Sequence, residues 1–542
     1  MFNRARARPL SDTDPPRNAT PAVPRLALGG WSYYFLAKLL LAWRGLIGLH
    51  ALENLAFAAL LAVPISDRRL RRLRLALAIP AAIALLYHDS FLPPFSRLWA
   101  QRGQVAGFGI DYLAELAGRF VNWQVIALLA VGYVLARIAG TWLRLGAVAV
   151  AGLLVMALLP GHDDAALSGT ATSATAAGTV AGTGATATTP DQALAAFFDN
   201  ESRRSVPFGQ AGGTPFDVIF LHVCSMSWDD LRAVNLDRHP LLQKADIVFH
   251  HFNSAASYSG PAAIRLLRAP CGQPRHGALY QPAAAQCQLF PVLERAGFAQ
   301  NLAMNHDGHF DDFLSLVRRQ GVNAPLLPLA GLPVPQRGFD DSPIHDDGAA
   351  LARWLAQRQR DLAPRTALYY NTISLHDGNR LVAGPDAGKG STATYARRAA
   401  KLLDDLDGFI GALDKAGRTA VVVVVPEHGA ALRGDRMQIA GLREFATPSV
   451  TTVPVIVKVV GSQASGGTVH VNDATSYTAL SQLVAAMVAR PPFDDGRFAP
   501  GDYTANLPVT RFVAENEGSL VQQLDQNYLL KVGGEPWQVY RP

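Results

Sequence analysis

Three residues, two of them adjacent in sequence, form a candidate zinc site. Cys224 offers a thiolate, and the adjacent Glu427 and His428 offer a carboxylate oxygen and an imidazole nitrogen. A thiolate, an imidazole and a carboxylate together suit zinc better than magnesium or calcium, so we predict a zinc site. The simpler interpretations are a buried free thiol for Cys224 and a surface turn before Gly429 for the other two.

Ser259 is a candidate nucleophile. It precedes Pro261, which suits the first turn of a helix, and Ala262–Arg268 continues as a helix-forming segment. The backbone N–H groups at a helix N-terminus favour an anion such as a phosphoryl group. A serine held against a cation also loses its proton more readily. By its local sequence alone, however, Ser259 is most simply a helix N-cap.

Four further residues are candidates for substrate chemistry. His376 could donate or accept a proton, or it could be an ordinary loop histidine. The segment Asn305–Asp312 is dense in His and Asp and follows a predicted strand, so His309 is a substrate-site candidate. Arg265 and Arg268 could neutralise phosphate charge, or could pack along their own helix.

Six strand-like apolar runs alternate with helix-like segments in the C-terminal two thirds of the chain. Five consecutive valines before Pro426 indicate a strand buried on both faces, as in a parallel sheet covered by helices. The alternation predicts an α/β layered fold, in which reactive groups gather where strands end. The runs are Phe216–Val223, Ile247–Phe252, Phe298–Met304, Ala367–Leu375, Ala420–Val425 and Val453–Val460, and the helix-like segments include Tyr395–Leu413 and Ser476–Val488.

The N-terminal part predicts a transmembrane helical domain of about five spans. Hydrophobic residues make up 49% of the chain and charged residues 17%, a balance expected of spans joined to a soluble domain. A buried helical core is the alternative. The apolar runs are Trp31–Leu49, Ala51–Ile65, Leu75–Tyr87, Val121–Gly140 and Thr141–Leu159.

Arginines in alternate connections predict the orientation of these spans. Residues 68–74 hold five arginines, and Arg137 and Arg144 flank the connection between spans four and five. Short Arg-rich loops stay in the cytoplasm. We therefore expect a cytoplasmic N-terminus, a periplasmic loop at Asp89–Arg119, and a periplasmic C-terminal domain anchored in a bacterial inner membrane.

Composition divides the chain into four regions. They are a basic tail at 1–30, the transmembrane domain at 31–161, an Ala/Thr/Gly-rich linker at 162–196 and a catalytic domain at 197–542. Residues 1–74 carry twelve Arg or Lys and four Asp or Glu, whereas the whole chain has a net charge of +6. The basic charge thus lies beside the spans rather than on the soluble domain, which argues against nucleic-acid binding.

The three cysteines divide into a close pair and Cys224. Cys271 and Cys287 lie in a loop-like stretch rich in Pro, Gly and Gln. In the periplasm a disulfide between them is expected. Two unpaired thiols are the alternative.

Several longer strings show a family resemblance. The chain resembles the cellulose phosphoethanolamine transferases of bacterial cellulose secretion systems, over nearly its whole length apart from the linker. The strings are GWSYYFLAK, DYLAELAGRFVNWQ, HVCSMSWDDL, FNSAASYSGPAAIRLLRAPCGQ, SLHDGN and VPEHGAAL.

This resemblance implies a fold, an activity and partners. The fold would be that of the alkaline phosphatase and sulfatase superfamily, with a mixed, mostly parallel sheet covered by helices. The activity would be transfer of phosphoethanolamine from phosphatidylethanolamine to the glucose 6-hydroxyl of nascent cellulose. Zinc would be the cofactor. The expected partners are the lipid donor, the cellulose acceptor and the cellulose synthase complex of the inner membrane, in a pathway of biofilm formation.

The resemblance also assigns roles to residues. Thr451 and Thr452 stand where many two-metal members of the superfamily carry another His, which argues against a permanent second metal. The assigned roles are nucleophile for Ser259, zinc ligands for Cys224, Glu427, His428 and the Ser259 oxygen, acid or base for His376, and a disulfide for Cys271 and Cys287.

Three other functions stay open from the sequence. A serine hydrolase could use Ser259 with His376 and Asp377, although Ser257 stands where the nucleophile elbow needs a glycine. A related transferase could act on lipid A or on a glycan other than cellulose. A non-enzymatic assembly module with a degenerate site is the third alternative.

Overall fold

The structure is a computed structural model that describes residues 28–44, 46–90, 109–120, 123–158, 189–435 and 437–540. The chain divides into two compact units. The first unit contains residues 1–90 and 124–161, and the second contains residues 91–123 and 162–542. Residues 1–27 of the predicted tail and 162–188 of the predicted linker lie outside the described residues.

The first unit is helical. Lys38, which interrupts the first apolar run, is buried; it donates a hydrogen bond to Asn54 Oδ1 at 2.7 Å and pairs with the carboxylate of Asp89. The ammonium group is therefore paired where it would otherwise be costly to bury. The helices are α1 (Trp31–Trp43), α2 (Ala51–Ala62), α3 (Arg68–His88), α5 (Trp123–Ala139) and α6 (Leu145–Leu158), and α4 (Ile110–Phe120) belongs to the second unit.

The five helices of the first unit overlap the five predicted apolar runs, but they are shorter or more polar. Within the described part of the chain, no helix combines the length and the apolarity that a membrane span requires. Helix α3 has 21 residues but starts with an Arg-rich turn, and the other four have 12 to 17 residues.

A seven-stranded sheet forms the centre of the second unit, in the order β7-β2-β6-β5-β1-β4-β3. Strand β6 is antiparallel to both of its neighbours, and the other adjacent pairs are parallel. The predicted mixed, mostly parallel sheet is thus confirmed. The strands are β1 (Asp217–Val223), β2 (Ile247–Asn253), β3 (Ala299–Met304), β4 (Thr366–Thr372), β5 (Ala420–Pro426), β6 (Thr452–Val460) and β7 (Val469–Val471).

Helices cover both faces of this sheet. Every residue of β5, the valine strand, is buried, as its sequence predicts. Alternate residues of β1 enter opposite cores, so that Phe220 packs with one set of helices and Leu221 with the other. Besides α4, the helices of the second unit are α7 (Pro190–Ser202), α8 (Trp228–Ala233), α9 (Pro240–Gln243), α10 (Ser259–Leu267), α11 (Leu289–Arg295), α12 (Phe313–Arg319), α13 (Asp347–Arg358), α14 (Ser391–Lys415), α15 (Pro448–Thr451), α16 (Tyr477–Ala489) and α17 (Pro500–Thr504).

Several features differ from the sequence-based expectations, among them helix α4, which forms at the end of the predicted loop Asp89–Arg119. Strand β4 ends at Thr372, three residues before the predicted end, because Ile373 begins a turn in which its carbonyl accepts the His376 N–H. Helix α7 crosses the predicted boundary at residue 196, and its Phe197 and Phe198 pack against a C-terminal sheet that the sequence did not predict. That antiparallel sheet contains β8 (Val513–Asn516), β9 (Ser519–Leu524), β10 (Asn527–Val532) and β11 (Gln538–Tyr540).

Candidate active site

The three predicted metal ligands follow two adjacent strands. Cys224 comes directly after β1 and Glu427 directly after β5, and in the parallel register of these strands Val223 is paired with Pro426. The Glu427 N–H donates to the Val223 carbonyl at 2.8 Å. Because the two strands end side by side, residues that are 203 positions apart or more in sequence meet at one edge of the sheet.

The three ligand atoms form a compact, buried group. Cys224 Sγ lies 3.9 Å from His428 Nε2, and Glu427 Oε2 lies 3.8 Å from the same nitrogen. One ligand atom from each residue lies within 4.8 Å of the others. Zinc–ligand bonds of about 2.0–2.3 Å in tetrahedral geometry place ligand atoms roughly 3–4 Å apart. The spacing therefore fits one metal ion.

Ser259 is the first residue of helix α10, and Tyr258 occupies the N-cap position. The Ser259 hydroxyl oxygen lies 3.4 Å from Cys224 Sγ and 3.3 Å from His428 Nε2. Its side chain thus faces the ligand group and does not cap the helix, which removes the simpler interpretation. The position fits the predicted roles of a fourth ligand and of a nucleophile beside a metal, which stay predictions.

Hydrogen bonds orient two of the ligands. The Nδ1 atom of His428 lies 2.8 Å from the Gly429 carbonyl, to which it donates, so Nε2 keeps its lone pair for the ligand group. Glu427 Oε1 accepts a hydrogen bond of 2.6 Å from Asn371 Nδ2. Glu427 Oε2 is buried and has no hydrogen-bond partner among the described residues. A cation would satisfy that oxygen, so the residues present fit a bound metal.

Burial shifts the pKa of each ligand in the direction that favours its neutral form. Burial, followed by the charge of Glu427, raises the pKa of the Cys224 thiol to about 12. Burial also raises the pKa of Glu427. Burial, and next the charge of Arg443, lowers the pKa of His428 well below its usual value. A bound cation would offset the cost of charging the thiol and the carboxyl group.

Arg443 is a site residue that sequence reasoning missed. Its Nη1 atom donates to Ser225 Oγ at 3.0 Å and lies 3.4 Å from His428 Nδ1, and its guanidinium group stands 5.8 Å from the centre of the Tyr258 ring. It supplies the positive charge closest to the ligand group that the described contacts show. Arg443 lies in a loop without a recognisable motif, so only its basic charge could have drawn attention to it.

His376 lies on the loop after β4, the strand beside β1. It is half-buried, and its Nδ1 atom lies 2.7 Å from the Asp377 carbonyl, to which it donates. Burial, followed by the charge of Arg443, lowers its pKa to about 4. The imidazole is therefore neutral near pH 7 and can accept a proton at Nε2.

The two arginines proposed to contact substrate have internal partners. Arg265 is buried and donates to the Pro274 carbonyl at 3.1 Å, and Arg268 is buried and donates to Gln320 Oε1 at 2.7 Å and the Gln281 carbonyl at 2.7 Å. These contacts favour the alternative that the two arginines pack along their own helix. A substrate role for Arg265 and Arg268 stays a prediction.

His309 is exposed on the loop after β3. Its substrate role also stays a prediction.

Cys271 and Cys287 form a disulfide. The loop that the disulfide closes runs directly after helix α10, which begins at Ser259. Cys224 is a buried free thiol within the ligand group, so it needs no disulfide partner.

Comparisons with known proteins give the family. The model of the "cellulose biosynthesis protein BcsG N-terminal domain" matches residues 31–158, and that of its "C-terminal domain" matches residues 174–537. A relative named cellulose biosynthesis protein BcsG, from Escherichia coli strain K12, is 41% identical over 542 aligned positions, covering 95% of this chain and 96% of the relative. The chain therefore belongs to the BcsG family of cellulose biosynthesis proteins, and the family predicted from the sequence strings is confirmed.

Two solved structures are more distant. A protein of the alkaline phosphatase superfamily from Vibrio parahaemolyticus has a TM-score of 0.46 at 12% identity, over 65% of this chain and 88% of that one. The lipooligosaccharide phosphoethanolamine transferase EptA from Neisseria meningitidis has a TM-score of 0.42 at 13% identity, over 85% of this chain and 94% of that one.

Proposed function

We propose that the protein is a zinc-dependent transferase that moves phosphoethanolamine from phosphatidylethanolamine to the glucose 6-hydroxyl of nascent cellulose. The observation that carries the proposal is the position of Ser259, whose hydroxyl lies 3.4 Å from Cys224 Sγ and 3.3 Å from His428 Nε2 at the start of helix α10. Membership of a cellulose biosynthesis family supports the acceptor, and the sequence resemblance supports the transferred group.

Cys224, Glu427, His428 and Ser259 would hold the zinc ion. Zinc bound there would stabilise the Ser259 alkoxide and polarise a phosphoryl oxygen. The chain adds its own positive charges, because the helix N-terminus and the Arg443 guanidinium both favour an anion beside Ser259. These groups would bind the lipid phosphate with its phosphorus next to the Ser259 oxygen.

In the first half-reaction, the Ser259 oxygen forms a bond to phosphorus while the bond from phosphorus to the diacylglycerol oxygen breaks. The proton lost by Ser259 is transferred to the departing diacylglycerol oxygen. We assign His376 as the carrier of that proton, since donation from its Nδ1 atom to the Asp377 carbonyl leaves a lone pair on Nε2 that can accept it. Phosphoethanolamine is then esterified to Ser259.

In the second half-reaction, the 6-hydroxyl of a glucose unit attacks the same phosphorus. The bond between phosphorus and the Ser259 oxygen breaks, and the hydroxyl proton passes through His376 or a neighbour back to Ser259. The scheme is a double displacement in which serine, lipid and glucan oxygens exchange one phosphoryl group, and no water is consumed.

The helical first unit would anchor the enzyme in the bacterial inner membrane. We propose a cytoplasmic N-terminus and a periplasmic catalytic domain, an arrangement supported by the arginines between the apolar runs and by the disulfide. A membrane lipid donor would then be present at high effective concentration. The cellulose synthase complex in the same membrane would deliver the acceptor.

The scheme is tested by the intact mass of the full chain in detergent after incubation with zinc and phosphatidylethanolamine. We expect a phosphoethanolamine-sized adduct on the native chain and none on the Ser259→Ala variant. Cellulose oligomers should then remove the adduct and become modified. If the zinc-loaded native chain formed no adduct and modified no acceptor, the transferase scheme would be wrong.

The same experiment separates the alternatives. A serine hydrolase would turn over esters in the presence of chelators, but His376 Nδ1 donates to the backbone carbonyl of Asp377 and not to its carboxylate, which is paired with Arg119. His428 Nδ1 likewise contacts the Gly429 carbonyl, so in the described site neither histidine completes a triad with Ser259. If lipid A or another glycan, but not cellulose, removed the adduct, the proposed acceptor would be wrong and the proposed transfer chemistry would stand.

A further inference from the structure

Helix α4 lies between two segments of the first unit in sequence, yet it packs against the loops of the catalytic domain. The Gly109 N–H donates to the Phe339 carbonyl at 3.0 Å, at the start of the helix. One turn later, the Tyr112 ring lies 5.9 Å from the ring of Phe339, and its hydroxyl donates to Asp377 Oδ2 at 3.0 Å. The helix is thereby fixed to the loop that carries His376.

Arg119, at the other end of the helix, makes the strongest of these contacts. Its guanidinium group donates to both oxygens of Asp377, at 2.7 Å and 2.8 Å, and to Glu115 at 2.6 Å. The Ser391 hydroxyl donates to Asp377 Oδ1 at 2.5 Å. A carboxylate held by a two-point contact with arginine has a defined orientation as well as a defined position. The pair is largely shielded, with side-chain exposures of 16% and 15%.

The position of Asp377 determines the orientation of the His376 ring. The Asp377 carbonyl accepts the hydrogen bond from His376 Nδ1 at 2.7 Å. That bond directs Nε2, with its lone pair, away from the Asp377 backbone. The Phe339 ring packs on the imidazole with the ring centres 5.3 Å apart, and the Tyr112 ring lies 5.9 Å from that of Phe339. Helix α4 therefore supports His376 through Asp377 and through Phe339.

Two glycines show how closely helix α4 approaches the site. A Cβ atom on Gly378, which has a φ of +81°, would lie 2.6 Å from Phe339 Cβ and 2.9 Å from the Tyr112 ring. A Cβ atom on Gly441, with a φ of +83°, would lie 2.5 Å from Arg119 Nη1. Gly441 is two residues before Arg443, so Arg119 touches the loops of both His376 and Arg443.

We propose that Arg119 is a positioning residue for proton transfer by His376, and that helix α4 thereby completes the active site of the catalytic domain. The proposal rests on the proposed function, because it assumes that His376 protonates the departing diacylglycerol oxygen. Arg119 itself would not touch the substrate. Its loss would release the Asp377 carboxylate, loosen the His376 ring and leave the zinc ligands in place.

The experiment compares two donors on the full chain in detergent. Phosphatidylethanolamine has an alkoxide leaving group that needs a proton, whereas nitrophenyl phosphoethanolamine has a leaving group that departs as an anion. General acid catalysis contributes about 10²–10⁴-fold to such steps. For Arg119→Ala, we expect the rate with the lipid to fall by about 10² and the rate with the nitrophenyl ester to fall much less.

Four further variants make the interpretation specific. His376→Ala should show the same donor dependence, and the Arg119→Ala/His376→Ala double variant should lose no more than His376→Ala alone. Arg119→Lys keeps the charge but not the two-point contact, so it should give an intermediate loss and would serve if Arg119→Ala failed to fold. Ile110→Ala, at an 84% exposed position of the same helix, is the matched control and should be unchanged.

The outcomes distinguish the two proposals. If the rate of Arg119→Ala fell equally with both donors and the variant also lost zinc, Arg119 would only stabilise the fold. That result would overturn the positioning role. Full lipid activity in Arg119→Ala and Arg119→Lys would overturn it as well. If the native chain turned over neither donor through Ser259, the proposed function itself would fail, whatever the variants did.

Discussion

The carboxylate of Glu427 is oriented by Asn371, whose Nδ2 atom lies 2.6 Å from Glu427 Oε1. The Asn371 amide is itself fixed, because its Oδ1 atom lies 2.8 Å from His306 Nε2 and His306 Nδ1 accepts the Gly308 N–H at 3.1 Å. His306 must then donate through Nε2, and Asn371 can only donate to Glu427. This chain of hydrogen bonds leaves Glu427 Oε2 without a hydrogen-bond partner among the described residues, 3.8 Å from His428 Nε2.

Replacement of Asn371 by alanine should therefore weaken zinc binding without removing a ligand. The Glu427 carboxylate would lose its fixed orientation, and loss of such outer partners typically costs about 10–100-fold in metal affinity. Competition with a chromogenic zinc chelator would measure the change. Asn472→Ala, at an exposed position, is the matched control. An Asn371→Ala variant with unchanged zinc affinity would show that the hydrogen bond does not orient the ligand.

Cys224→Ala should lose zinc and transferase activity together. The variant removes the only sulfur in the ligand group and leaves Glu427, His428 and Ser259. Metal analysis and adduct formation should be measured after chelator treatment and again after zinc is restored. The native chain should recover both, and the variant neither. Full activity of the variant without bound metal would contradict the metal-dependent scheme.

Removal of the disulfide should reduce stability more than activity. Cys271 and Cys287 are 16 residues apart in sequence, and closing a loop of this size stabilises a fold by about 3 kcal/mol. The paired Cys271→Ser/Cys287→Ser variant should show that loss in urea unfolding of the full chain, with the adduct on Ser259 still formed at low temperature. The native chain in reducing agent is the control and should lose stability to the same extent. Unchanged stability in both samples would exclude a stabilising role for this bond.

The sequence predicted the parts of the site that lie at strand ends. The valine run before Pro426 defined β5, and the apolar run before Cys224 defined β1, so the ligands could be placed at the carboxyl ends of parallel strands. The adjacency of β1 and β5 then brought the ligands together. These features were predictable because they follow from local hydrophobic patterns and one general rule for parallel sheets.

The residues that the sequence did not reveal act through contacts between distant segments. Asn371 looks like an ordinary strand residue, and its role depends on the neighbouring strand that carries Glu427. Arg443 and Arg119 have no local pattern, and the contact between Arg119 and Asp377 joins segments that are 258 residues apart. Hydrophobic periodicity carries no information about such pairs, because they arise only when the chain is folded.

The low pKa of His376 should make the stability of the protein depend on pH. Burial and the Arg443 charge lower that pKa from 6.5 to about 4 in the folded chain. Between these values the unfolded chain binds more protons, so the free energy of unfolding should decrease as the pH falls from about 6.5 toward about 4. One such group contributes at most about 1.4 kcal/mol per pH unit. The loss begins at the unfolded pKa and is complete at the folded one.

Urea unfolding of the full chain in detergent at several pH values would measure this contribution as the difference between the native chain and His376→Gln. The variant should lose less stability than the native chain as the solution is acidified, because glutamine does not titrate. The loss of stability of Arg443→Gln on acidification should lie between those of the native chain and His376→Gln. Removal of the Arg443 charge allows the pKa of His376 to rise toward its usual value. Parallel pH profiles for the native chain and His376→Gln would mean that His376 titrates normally, and it could then be protonated before the lipid binds.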